Sequence, residues 1–198
     1  MAYTDFTLET VESRLGVRAA PAVLFPNLVP LPVPAWLQEM VNRGLRQALL
    51  SEKARGEFLV TPILLATQEL SLRAVAIYSG QRLDADAQQG LVGECDFILT
   101  ATAPLPAMMS PILTVVEAKK NDVESGIAQC MAQMIGARVF NEKAGKGRPE
   151  MFGCVTTGEA WQFLRLEGAL VGIDQRRLYI VNVGEILAVL QAIVARPV

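Results

Sequence analysis

Histidine is absent from all 198 residues. That one absence removes Ser-His-Asp triads, HNH-type nucleases, imidazole general bases and His-ligated zinc, so any catalysis falls to carboxylates, Lys, Tyr, Ser or Thr. Cysteine is scarce: Cys95, Cys130 and Cys154 are odd in number, far apart and each set in an apolar segment. They read as core thiols, not as a disulfide framework or a zinc site. No apolar run approaches the ~20 uninterrupted residues of a membrane helix, and no basic stretch followed by an apolar one opens the chain. The expectation is a cytoplasmic protein with no membrane partner. Also missing are a dinucleotide fingerprint, a nucleophile elbow, a phosphate-cradling P-loop, internal repeats and low-complexity tracts, which disfavours a small-molecule α/β enzyme.

A basic excess is lacking too. Eighteen Lys and Arg stand against twenty Asp and Glu, a net charge of −2. A protein that grips duplex DNA unaided usually carries a positive surplus, because neutralising phosphates is the main sequence-independent contribution to affinity. Tight autonomous DNA binding is therefore disfavoured. Metal-dependent cleavage is not, since a cation supplies part of the missing charge and a homodimer pools two basic patches.

What the chain does have is apolar residues, 52% of the total against 19% charged. That suffices for a sizeable core and leaves little room for disorder. Phe6, Leu8, Val11 and Leu15 predict a short helix within 5–16, with Thr7 as N-cap and Gly16 as stop. Residues 17–34 carry five prolines and predict no regular element, only an extended arm over the core or an oligomer contact. A helix is expected over 35–50, and another from Ser51 towards Leu70, bent near Pro62. Strands are expected over 73–79, closed by a Ser79-Gly80 turn, and over 91–100 and 111–120. After a helix over 123–140 come strands at 151–158 and from Ala160, two short ones over 169–173 and 177–183, and a closing helix over 184–195. Within the loop 141–150, Lys143, Lys146 and Arg148 form the most basic local cluster, either a phosphate-backbone contact or an ordinary solvated loop.

The organising stretch is Leu91 to Lys120. Side chains alternate along a strand, so Glu94, Asp96 and Ile98 share one face of LVGECDFILT, while Val115, Glu117 and Lys119 share one face of PILTVVEAKK. If the two strands pair with these faces together, Asp96 and Glu117 converge and Lys119 lies one pleat further on. Carboxylate oxygens suit a hard cation such as Mg²⁺ or Mn²⁺, and an ammonium beside it would orient a water or screen developing charge. Acids and lysines at strand ends are also ordinary surface features, and a lone Glu-x-Lys carries little information.

The order of these pieces resembles the PD-(D/E)xK nuclease superfamily, the restriction-endonuclease-like fold with an αβββαβ core. The likeness covers roughly Leu50 to Asn182. It implies an α/β fold with a mixed central sheet flanked by helices, a nuclease-like domain over 51–198, and an N-terminal helical and Pro-rich extension over 1–50 packed on it. It further implies a catalytic centre of Asp96, Glu117 and Lys119, with Mg²⁺ or Mn²⁺ held by Asp96, Glu117 and the backbone carbonyl of Ala118, Glu94 being a possible further ligand. The Pro that the family places before its first Asp is replaced here by Cys95. SEKARGEFLVTPILL is similar to the first core helix of the nuclease domain at the start of type I restriction motor subunits, which makes Glu52 the helical acid, with Glu57 its rival. Several branches of the superfamily carry a Gln on the helix after the second strand. Gln129 is the better match, and Gln133 shares its face.

The function so implied is hydrolysis of phosphodiesters in nucleic acid, DNA before RNA, by a Mg²⁺-held water. The alternative is an inactive scaffold or nucleic-acid-binding subunit on the same fold.

Overall fold

The computed structural model describes residues 1–197; Val198, the last residue of the expected nuclease-like domain, lies outside them. In chain order the elements are α1 (Leu8–Leu15), β1 (Arg18–Ala22), α2 (Ala35–Gly44), α3 (Glu52–Arg55), a π turn (Gly56–Val60), α4 (Thr61–Leu70), β2 (Ala76–Arg82), β3 (Glu94–Thr100) and β4 (Ile112–Ala118). They continue with α5 (Ile127–Lys143), β5 (Glu150–Thr156), β6 (Ala160–Glu167), β7 (Leu170–Tyr179) and α6 (Val183–Val194).

The seven strands form one sheet in the order β1-β7-β6-β5-β4-β3-β2. Two neighbouring pairs are parallel, β4 with β5 and β1 with β7; the others are antiparallel. A parallel neighbour cannot be reached by a tight hairpin, so the chain between β4 and β5 crosses over through α5. Strand β4 is buried along its whole length and β5 after its first residue, as befits central strands covered on both faces. One core, around Leu37, Leu64, Trp161 and Leu190, lies under α2, α4 and α6. The other, around Tyr3, Val115, Met131 and Val171, lies under α5 and the N-terminal segment. The result is an α/β architecture, a mixed sheet flanked by helices on both faces.

Several local expectations hold for the reasons that motivated them. Thr7 caps α1 by accepting from the Thr10 N–H, and Gly16 ends it in the left-handed region at φ 66°. Cys95, Cys130 and Cys154 are buried free thiols. Others need correcting. The Pro-rich segment does contain a strand: β1 runs through Pro21 parallel to β7. It is an edge strand, where a residue without an N–H costs no ladder bond on its outer side. The expected turn at Ser79-Gly80 is absent, because β2 continues to Arg82 and carries Gly80 at φ 59° as a local irregularity. The two short strands expected after Ala169 are one ten-residue strand, β7, which absorbs the polar run Asp174-Gln175-Arg176-Arg177. Helix α2 stops at Gly44, short of residue 50. The helix from Ser51 does run on to Leu70, and its irregularity is a π turn at Gly56–Val60, just before Pro62.

Candidate active site

The β3–β4 ladder ends at Phe97 opposite Val116. Beyond that point β3 stays with β2 as far as Glu94, while β4 stays with β5 as far as Ala118, so the two strands fork. Asp96 sits in the fork, where its Oδ2 accepts the Ala118 N–H at 2.7 Å, a bond the ladder no longer supplies. One more step of the register places Asp96 across from Glu117, on the face shared by the paired Ile98 and Val115. A cleft of about 440 Å³ opens at the fork, lined by Asp96, Ala118, Glu94, Glu52, Glu57 and Lys53 among others.

Glu117 lies deeper, 3% exposed. Both of its oxygens are held: Oε1 accepts from Lys119 Nζ at 2.8 Å and Oε2 from Gln133 Nε2 at 2.7 Å. Lys119 Nζ also donates to Gln129 Oε1 at 3.0 Å. The two glutamines, four apart on one face of α5, thus divide the ion pair between them, one gripping the ammonium and the other the carboxylate. Gln133, the weaker candidate by sequence, is as engaged as Gln129; its legible signal was the i, i+4 spacing. Its Oε1 is buried and meets no donor among the described residues. Helix α5 comes this close because Gly126 precedes it: a Cβ there would stand 2.6 Å from Val155 Cγ1 and 3.0 Å from Lys119 Cε.

The electrostatics follow from burying two acids together. Burial, then the charge of Asp96, pushes the Glu117 carboxyl up to about 7, against the pull of Lys119 and Gln133. Burial also raises Asp96; the Ala118 N–H and Lys119 oppose it, and Glu52 and Glu94 add to it. For Lys119, burial works to lower the ammonium, but the charge and hydrogen bond of Glu117, with Glu52 and Asp96 behind them, outweigh it and raise the pKa. Glu52 therefore acts on both Asp96 and Lys119. Glu57 lines the same cleft, its carboxylate 3.9 Å from Lys53 Nζ. Of Asp96, Glu117 and Lys119, Asp96 alone lines the cleft; perturbed acids beside one ammonium suit general acid–base or metal-assisted chemistry, and structural ion pairs as well.

At the same end of the sheet Thr156 pairs with Ala118, and its hydroxyl is tied into the β5–β6 turn, donating to the Ala160 carbonyl and accepting from Gly158 N–H. The basic candidates lie elsewhere. Lys143, Lys146 and Arg148 precede β5, at the end of the sheet remote from the fork, and are not brought to the acids. Lys143 Nζ donates to the Ala85 carbonyl at 2.6 Å and Lys146 Nζ to the Ser110 carbonyl at 3.1 Å, so both serve the protein's own backbone. Arg148 is buried. Among the described residues no three His, Cys, Asp or Glu side chains are grouped so as to hold a metal by themselves. No helix among them is long and apolar enough to cross a membrane. No model of a known protein family matches the chain, and no curated protein matches it as a relative.

Proposed function

We propose that the chain is a divalent-cation-dependent phosphodiesterase acting on nucleic acid, DNA in the first instance, with a PD-(D/E)xK centre on a restriction-endonuclease-like fold. The observation that carries this reading is the fork: Asp96 accepts the Ala118 N–H where the strands part, its charge acts on the buried Glu117, and Glu117 is bonded to Lys119. The donor set suits Mg²⁺ or Mn²⁺. It is all oxygen, drawn from Asp96, Glu117 and the Ala118 carbonyl with Glu94 nearby, and Mg²⁺ keeps several waters and so needs few protein ligands. A cation there would polarise the phosphoryl oxygen and ease loss of a proton from water. The chain's own contribution is the rest. Lys119, held between Glu117 and Gln129, presents an ammonium that orients the attacking water and stabilises charge on the phosphoryl group. Gln133 holds Oε2 of the Glu117 carboxylate in place, and Glu52 adds negative charge on the helical side.

The test is cleavage of plasmid and linear DNA with Mg²⁺ or Mn²⁺, comparing the wild type with Asp96→Ala and Lys119→Ala. The proposal expects cation-dependent cleavage in the wild type, reduced at least a hundredfold in both variants. Equal cleavage by folded variants removes the assignment.

A second reading has its own observation. Both oxygens of Glu117 are already satisfied by Lys119 and Gln133, as in a self-contained buried pair. On this reading the chain is an inactive nuclease-fold scaffold or nucleic-acid-binding subunit. Calorimetry with Mn²⁺ separates the two: the enzyme shows a site that Asp96→Asn abolishes, and the scaffold shows none.

A further inference from the structure

At the opposite end of the sheet stands a group of arginines that the cleft does not use. Arg148 precedes β5, Arg73 precedes β2, and Arg196 follows α6. Six residue steps along β5 separate this end from the fork, roughly 20 Å at ~3.3 Å per residue. Arg148 is 9% exposed, yet its Nε and Nη1 are sealed from solvent and meet no acceptor among the described residues. Nearby, Arg73 Nη1 donates to the Arg196 carbonyl at 2.8 Å. Arg196 lies over the Phe152 ring, 5.6 Å from its centroid, and its Nη1 is 3.3 Å from Glu150 Oε1. Burial lowers the Arg148 pKa; Glu150 opposes this and the positive charges of Arg73 and Arg196 add to it.

Among the described residues the charge balance is uneven: three guanidinium groups share one carboxylate, and that carboxylate is engaged by Arg196. A buried donor left without an acceptor is costly, more so when it is charged, and surveys of native structures find few such groups. Planar guanidinium groups pair best with oxyanions of matching geometry. A phosphate, with several acceptor oxygens and up to two negative charges, can meet more than one guanidinium at once. We propose that Arg148, with Arg73 and Arg196, forms a second binding site for a phosphate-class oxyanion, distinct from the acidic cleft. An anion held among the three guanidinium groups would give the two idle donors of Arg148 an acceptor. The shared chemistry, a phosphate monoester or free phosphate, is what the cluster recognises. The site does not depend on the cleft being a nuclease.

The test is a titration of the full chain with inorganic phosphate, in low-ionic-strength chloride buffer with EDTA so that no metal chemistry enters, read by calorimetry and by Tm. A saturable site is expected, with Kd weakened at least tenfold by Arg148→Gln and by Arg73→Gln. Arg18→Gln, an exposed charge elsewhere on the surface, should leave it unchanged. Should Arg148→Gln fail to fold, Arg73→Gln carries the same comparison. Absence of saturable binding overturns the proposal, as does equal weakening by Arg18→Gln or no weakening by the other two. A 5′-phosphorylated oligonucleotide and its 5′-hydroxyl twin identify the source. Preference for the phosphorylated form that Arg148→Gln erases assigns the anion to a nucleic-acid end. Equal binding of the twins beside saturation by phosphate assigns it to the free ion.

Discussion

Glu117 and Lys119 form a buried pair whose members depend on each other. Removing one partner of such a pair costs ~3–5 kcal/mol, because the other is left charged away from water. Glu117 has an escape that Lys119 lacks, since its carboxyl titrates near 7 and can take a proton. Lys119→Met should therefore destabilise the protein more at pH 8 than at pH 6. Urea denaturation at the two values measures this, and adding Glu117→Gln should recover most of the loss. The same residue sets a pH slope in the wild type. Between the ordinary 4.5 of a glutamate and about 7, the folded state holds the Glu117 proton while the unfolded state releases it. By linkage, stability is greatest below that window and falls as pH rises through it. Tm measured from pH 4 to 8 in EDTA should decline across the window, and Glu117→Gln should flatten that part of the curve.

Helix α5 turns two strand-end side chains into a site. Its first turns place Gln129 on the ammonium and Gln133 on the carboxylate, and Gly126 lets it descend to β4 and β5. Gly126→Ala would press a methyl against Val155 and the Lys119 side chain. Overpacking of this kind typically costs ~1–3 kcal/mol. The expected outcome is a modest loss of stability with a larger loss of cation-dependent cleavage, as Lys119 is pushed from Gln129. Cleavage that falls only in proportion to the folded fraction would show that the approach of α5 matters to the fold alone. The sequence made α5 legible as a helix and its glutamines legible as neighbours. It ranked Gln129 over Gln133, because their separate partners depend on how the helix lies over the sheet. The π turn inside the helix from Ser51 to Leu70 was legible only as a bend near Pro62. That irregularity belongs to the same segment that turns Glu52 and Glu57 towards the cleft.

For the whole molecule, the first fifty residues are structural in the full sense. Tyr3, Phe6, Val11, Phe25, Leu37 and Val41 are buried in the two cores, and Tyr3 Oη donates to the Leu83 carbonyl at 2.9 Å. At ~1.5–3 kcal/mol for each buried side chain, these six together contribute on the order of 10 kcal/mol. That is comparable with the ~5–15 kcal/mol by which whole domains are stable. Residues 51–198 expressed alone should lack cooperative unfolding and near-UV circular dichroism. A sharp transition in that fragment would show that the segment before it is dispensable.

Alternation within Leu91–Lys120 was enough to place Asp96 with Glu117 and to set Lys119 beside them, because side-chain facing in a strand depends only on the count of residues. Apolar periodicity likewise located most helices and strands. The joining of β1 to β7 was out of reach, since pairing between segments some 150 residues apart leaves no trace in local pattern and Pro21 argued against a strand. So was the parting of β3 from β4, which opens the cleft, and the placing of Lys143, Lys146 and Arg148 at the far end of the sheet. Local chemistry settles which groups a segment can offer. Which of them meet is settled by packing between segments, and it was packing that set Gln133 on Glu117 and Arg148 near Arg73 and Arg196.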